Sequence, residues 1–131
     1  MYKHKIMENK TKILIVEDDS FLLNMYADKF RGEDFEVFIA DDGAKGVKLT
    51  KEKIPDIVLL DIMLPKMNGF EVLEKIKIDS KTKNIPVILL TNLSQKEEVK
   101  KGLDLGAKDF LIKAHFMPNE VVEKVKEVLG L

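Results

Sequence analysis

The chain alternates between short apolar blocks and longer amphipathic stretches. Ile13-Leu14-Ile15-Val16, Ile57-Val58-Leu59-Leu60 and Val87-Ile88-Leu89-Leu90 are continuously apolar and rich in β-branched residues. They are too short for helices and fit strands buried on both faces of a parallel sheet. Phe35 to Ala40 and Asp109 to Ile112 are less apolar, as sheet edges or shorter strands would be.

Between these blocks the apolar residues keep a helical period. Leu22, Tyr26 and Phe30 recur at i, i+4 and i+8. Ala44 and Val47 mark a second helix, weakened by Gly46. Phe70, Leu73 and Ile76 mark a third, entered through Asn68-Gly69. Ser94 and Glu97 form a capping-box signal for a fourth, running through Val99 and Leu103. Pro118, Val121, Val122, Val125, Val128 and Leu129 line one stripe of the last, and Pro118 suits its first turn.

The order is strand then helix, five times. Right-handed crossovers then predict a doubly wound α/β domain, with five parallel strands and helices on both faces. Residues 1–10 read as a mostly polar N-terminal extension, expected to fray. Met7 could equally be the natural start. Residues 11–131 form the single domain.

Composition narrows the function. At 131 residues the chain is one domain, long enough to bury a full core. It has no Cys, which excludes disulfide scaffolds, zinc-thiolate sites and thiol nucleophiles. Two His, His4 and His115, cannot build a His-rich metal site. The net charge of −1 comes from 22 basic and 23 acidic residues, so neither nucleic acid nor a membrane surface is expected as a direct partner. No apolar run reaches membrane-spanning length and no secretory signal is visible, so a cytoplasmic protein is expected.

In open α/β sheets ligands bind beyond the carboxyl ends of the strands. Glu17, Asp18 and Asp19 follow the first strand, Asp61 the third, Thr91 and Asn92 the fourth, and Lys113 the fifth. Taken singly, each has an ordinary reading as a cap, turn or solvated residue, and Asp19 reads best as a helix N-cap. Together they converge on one rim. Two unit charges about 4 Å apart repel by roughly 4 kcal/mol at an effective dielectric near 20. Glu17, Asp18 and Asp61 brought together therefore need a cation or shifted pKa values, and Lys113 alone cannot neutralise them. Hard carboxylate oxygens without His or Cys favour Mg²⁺ or a similar ion. An incoming anion would be held by Lys113 and Thr91. That is equipment for phosphoryl transfer, with Asp61 as nucleophile.

Val16-Glu17-Asp18-Asp19, Asp61-Ile62-Met63-Leu64-Pro65 with Asn68-Gly69, Leu90-Thr91 and Phe110-Leu111-Ile112-Lys113 resemble the motifs of two-component response-regulator receiver domains. The match runs in order from about Lys12 to the C-terminus. The resemblance implies a flavodoxin-like (βα)5 fold with strand order 2-1-3-4-5. It implies that Asp61 accepts a phosphoryl group from a histidine kinase or phosphotransfer protein. Asp18 would ligate Mg²⁺ directly, Glu17 through water, and the Met63 carbonyl would add a further ligand beside Asp61. Lys113 would pair with the phosphoryl oxygens. Thr91 and Phe110 would be the switch residues, Thr91 moving to the phosphoryl group and Phe110 swinging inward. The surface of the fourth helix, fifth strand and fifth helix would then change its affinity for a downstream protein or a second copy of the chain.

Three positions depart from the family pattern. Ala114 stands where Pro is usual, so the Lys113–Ala114 bond is expected to be trans, or cis only if its surroundings hold it. The loop from Ala114 to Met117 looks long, which blurs the start of the last helix. Asn92 replaces a commonly small residue, and Phe110 lacks the hydroxyl of a Tyr. Met63 and Leu93 flank the path expected for an attacking water and neither can orient it, so autodephosphorylation is expected to be slow. The chain therefore reads as a phosphoacceptor rather than a turnover enzyme.

Other functions fit less well. A flavodoxin-like electron carrier would need a Gly- and hydroxyl-rich loop where Glu17-Asp18-Asp19 stands. A phosphatase of the haloacid-dehalogenase type would carry its paired Asp after the first strand. A phosphate-independent interaction module with a vestigial site is the remaining alternative. No output domain fits in the length given, so the chain reads as a stand-alone receiver or a fragment of a larger regulator.

Overall fold

The structure is a computed structural model that describes residues 9–92 and 96–131. The elements are β1 (Lys12–Val16), α1 (Ser20–Gly32), β2 (Glu36–Ala40), α2 (Gly43–Lys53), β3 (Ile57–Asp61), α3 (Gly69–Ile78), β4 (Val87–Thr91), α4 (Lys96–Asp104), β5 (Asp109–Ile112), a 3₁₀ turn at Lys113–His115, and α5 (Pro118–Leu129). The strands pair in parallel in the order β2-β1-β3-β4-β5. This is the doubly wound arrangement the sequence predicts.

The continuous apolar blocks are explained by two cores, one on each face of the sheet. Ile13, Ile15, Leu59 and Leu90 point into one core with Phe30 and Val125. Leu14, Val16, Leu60 and Leu89 point into the other with Leu73 and Ile76. A strand covered on both faces has no polar side to alternate with. Phe35, read as a strand residue, lies just before β2 and packs edge-on against Phe30, with ring centroids 5.1 Å apart.

Most helix signals hold. The Asp19 side chain caps α1, and Asn68 with Glu71 forms a capping box on α3. Pro118 opens α5, and the preceding loop is taken up by the 3₁₀ turn. The Lys113–Ala114 bond is trans. The stripes of α2 and α4 need correction. Ala44 is exposed, whereas Val47 is buried as read, and α2 also buries Gly43, Gly46 and Thr50. A Cβ on Gly46 would stand 3.0 Å from Val16 Cγ2, so this glycine lets the helix approach β1 rather than weakening it. Leu103 is exposed and Val99 half-buried, while Gly102 is the buried contact of α4. Small residues carry both contacts, and a search for large apolar residues passes over them. The Ser94 half of the α4 capping-box signal lies outside the described residues, as do residues 1–8 of the predicted N-terminal extension.

Lys77 closes the connection between α3 and β4. Its ammonium donates to the carbonyls of Lys83 (3.0 Å) and Ile85 (2.7 Å). No helix among the described residues is long and apolar enough to cross a membrane.

Candidate functional site

The strand register assembles the rim. Val16 of β1 is level with Leu60 of β3, so Glu17 and Asp61, the next residue of each, stand side by side. Thr91 ends β4 level with Ile112 of β5, and Lys113 follows Ile112. Lys113 therefore starts one strand away from Asp61, beyond β4, and its long side chain spans the gap. Its Nζ lies 2.7 Å from Glu17 Oε1 and 2.8 Å from Asp61 Oδ2.

The remaining carboxylate oxygens are also held. Glu17 Oε2 accepts from the Asp19 N–H at 3.1 Å, and Asp61 Oδ1 accepts from the Met63 N–H at 3.1 Å. Asp19 Oδ1 itself accepts from the N–H groups of Phe21 (2.9 Å) and Leu22 (3.1 Å). Asp19 is thus the helix cap the sequence suggests, and its backbone helps to aim Glu17. Glu17 and Asp61 are 0 % and 2 % exposed, whereas Asp18 faces solvent.

Behind Asp61 the chain passes unusually close to itself. The Gly69 N–H donates to the Ile62 carbonyl at 2.9 Å. A Cβ on Gly69 would collide with the Asp61 carbonyl oxygen and stand 2.7 Å from Ile62 Cα. The Asn68-Gly69 pair therefore caps α3 and also leaves room for the backbone that carries the phosphoacceptor candidate.

The electrostatics follow from burial. Burial, then the Asp61 carboxyl, pushes Glu17 above its ordinary carboxylate range, and Lys113 pulls it back only in part. Partial loss of water and then Glu17 raise Asp18. Burial alone would lower Lys113, but its bonds to Asp61 and Glu17 outweigh it and hold the ammonium above its ordinary value. Among the described residues one cation faces three carboxylates. Glu17, Asp18 and Asp61 each offer an oxygen, and these oxygens lie within 4.8 Å of one another. An all-oxygen set of this size with surplus negative charge fits Mg²⁺.

Thr91 is 1 % exposed, and its Oγ1 has no hydrogen-bond partner among the described residues. A buried hydroxyl left in this state is costly, which makes it available to an arriving oxygen anion. Phe110 is half-buried against the core that contains Leu60 and Leu89. Met63 is 57 % exposed at the lip of the site. Leu93, read as the second flank of the water path, lies outside the described residues. Every other site residue read from the sequence is on this rim or, for Phe110, on the strand that delivers Lys113. Tyr26 escaped that reading. It was legible only as a core residue of α1, yet its buried phenol is held above its ordinary value, chiefly by burial, with smaller opposing effects of the charges of Lys113, Glu17 and Asp61.

The fold and these residues define a receiver domain. The family model for the "Response regulator receiver domain" matches residues 13–126, and the chain belongs to that family, within two-component response regulators. The DNA-binding response regulator MtrA of Mycobacterium tuberculosis is 38% identical over 117 residues, covering 89% of this chain and 50% of that protein. The chain thus spans about half the length of the curated relatives it matches. A putative response regulator from Chloroflexus aurantiacus has a crystal structure with TM-score 0.86 and 29% identity, covering 94% of this chain and 100% of that one. The receiver domain of a sensor histidine kinase from Pseudomonas aeruginosa PAO1, described with magnesium in its active-site cleft, shares the fold at TM-score 0.84 and 24% identity, over 93% and 99% of the two chains.

Proposed function

We propose that this receiver domain is a Mg²⁺-dependent phosphoacceptor, with Asp61 as the residue modified. The observation that carries this reading is the charge deficit at the rim, where among the described residues Lys113 alone answers Glu17, Asp18 and Asp61. Asp18, Asp61, the Met63 carbonyl and, through water, Glu17 would hold the ion. When bound, the ion would neutralise carboxylate charge and draw in the phosphoryl oxygens.

In the transfer, a carboxylate oxygen of Asp61 attacks phosphorus as the bond to the donor nitrogen or acyl oxygen breaks, leaving an aspartyl phosphate. The N–H of Met63 keeps the carboxylate oriented. Lys113 exchanges Asp61 Oδ2 for a phosphoryl oxygen. The Thr91 hydroxyl donates to another, gaining a partner it lacks among the described residues. The donor is a histidine kinase or a phosphotransfer protein, and the setting is the cytoplasm. The domain catalyses its own modification without turning over. Loss of the group is slow, because the Met63 side chain cannot orient water.

The readout we propose is the surface of α4, β5 and α5. Among its described residues α4 buries only Gly102, so it is weakly anchored and able to shift. Asp109 on β5 pairs with Lys124 on α5 at 2.8 Å, which ties these two elements together. Movement of Thr91 would open space for the Phe110 ring and change this face toward a downstream protein or a second copy of the chain.

The test is a titration with beryllium fluoride and Mg²⁺, a stable phosphoryl mimic, followed by amide NMR. Shifts at Thr91, Phe110 and the faces of α4 and α5 are expected. Shifts confined to residues 17–19 and 61–63 would refute the readout.

A further inference from the structure

The loop after β3 roots an exposed methionine next to Asp61, the proposed phosphoacceptor. The bond from the Met63 N–H to Asp61 Oδ1, 3.1 Å, fixes the root of this side chain beside the carboxylate. The side chain then extends into solvent, 57 % exposed. Met25 and Met67, by contrast, pack against the two cores, so packing explains them and does not explain Met63. A solvent-accessible thioether is open to oxygen-atom donors. Its product differs sharply from it, because methionine is apolar and a poor acceptor whereas the sulfoxide is polar and accepts hydrogen bonds.

We propose that Met63 is a redox-sensitive modification site, and that its oxidation to the sulfoxide shortens the lifetime of the phosphoryl group on Asp61. This rests on the phosphoacceptor reading above. With hydrogen peroxide as oxidant, the sulfur attacks one peroxide oxygen. The S–O bond forms, the O–O bond breaks, and the second oxygen leaves as water. Sulfur is oxidised by two electrons and the peroxide is reduced by two. The new oxygen then accepts a hydrogen bond from a water on the open side of the phosphoryl group. That water forms the new bond to phosphorus, the bond to the Asp61 oxygen breaks, and the proton leaves with inorganic phosphate. Asp61 returns as the free carboxylate. The sulfoxide orients the water and is not consumed. Reduction of the sulfoxide by a methionine sulfoxide reductase restores the slow state.

The experiment uses the full chain, phosphorylated with acetyl phosphate and Mg²⁺ with or without prior peroxide treatment. Intact mass follows loss of the phosphoryl group, and peptide mapping locates the added oxygen. Met117, also exposed but at the start of α5, serves as a control through Met117→Leu. Protein oxidised at Met63 is expected to lose the group about tenfold faster, equivalent to roughly 1.4 kcal/mol in the barrier. Met117→Leu should show the same acceleration. Met63→Leu should lose the group at one rate with and without peroxide. Met63→Gln, which carries a permanent amide acceptor, should lose it quickly without oxidant. Unchanged or slower loss after oxidation of Met63 overturns the proposal, as does a Met63 that resists oxidation while Met117 is converted. If the untreated chain takes up no phosphoryl group, the phosphoacceptor reading itself fails, an outcome visible before any oxidant is added.

Discussion

Lys113 Nζ lies 2.8 Å from Asp61 Oδ2, although 52 positions of chain separate the two residues. The same ammonium reaches Glu17 at 2.7 Å. Parallel pairing makes both contacts available, because it lines up the carboxyl ends of all five strands on one edge. The site is thus a product of the topology. Its charge balance, with carboxylates in excess, prepares it for a cation and an anion arriving together.

Replacing Lys113 tests that balance. Lys113→Ala leaves two buried carboxylates facing each other without a cation. Removing one partner of a buried pair is strongly destabilising, and we expect a loss of about 3 kcal/mol in metal-free urea unfolding at neutral pH. Mg²⁺ should restore more stability to the variant than to the wild type. A loss below about 0.5 kcal/mol, a value typical of exposed pairs, would contradict the account.

Thr91 should behave in the opposite way. Its hydroxyl is buried without a partner among the described residues, so Thr91→Val keeps the shape and removes a desolvated group. The unphosphorylated domain should gain up to about 1 kcal/mol. With beryllium fluoride bound, the variant should lose the shifts on α4 and β5. A clear loss of stability on substitution would show that the hydroxyl is satisfied in solution.

These two residues also show how far the sequence could be read. The strands were legible because Ile57 to Leu60 and Val87 to Leu90 are apolar without interruption, and burial on both faces is the physical cause. The rim was legible because topology alone assigns every strand end to one edge. Contacts made by small residues were not legible. Gly46 against Val16 and Gly102 against Leu89 carry no periodic apolar signal, so Ala44 and Leu103 were taken for the buried faces of α2 and α4. Nor could a pattern reveal that the Asp19 N–H steadies Glu17 or that the Thr91 hydroxyl finds no partner among the described residues, since both depend on distances of a few ångströms between groups.

Gly69→Ala tests the close passage behind Asp61, the proposed phosphoacceptor. The added methyl meets backbone at Asp61 and Ile62, which cannot swing aside as a side chain could. We expect a loss of about 2 kcal/mol, in the range of overpacked sites, and slower uptake of phosphoryl groups from acetyl phosphate because Asp61 is displaced. A fully stable variant with unchanged uptake would contradict the geometry.

Magnesium binding should depend on pH in a stated direction. Burial and neighbouring carboxyls hold Glu17 and Asp18 above their ordinary values of 4.5 and 3.8. Protons therefore compete with the ion at a higher pH than for free carboxylates, and affinity should fall steadily as pH drops toward those values. The sign reverses for the metal-free fold. A carboxyl raised in the folded state favours folding when protonated, so the contribution of this pair is fully present below the ordinary values and is lost as pH rises through the raised ones. Calorimetric Mg²⁺ titrations across that window check the first part, and unfolding in the presence of chelator checks the second. Affinity that is flat with pH would contradict the first, and metal-free stability that does not fall as pH rises through the raised values would contradict the second.

The most direct test of the central claim is intact mass after incubation with acetyl phosphate and Mg²⁺, for wild type, for wild type with chelator, and for Asp61→Ala. The account predicts one phosphoryl adduct on the wild type with Mg²⁺ and none in the other two samples. An adduct that survives in Asp61→Ala, or no adduct on the wild type together with no binding of beryllium fluoride, would contradict it.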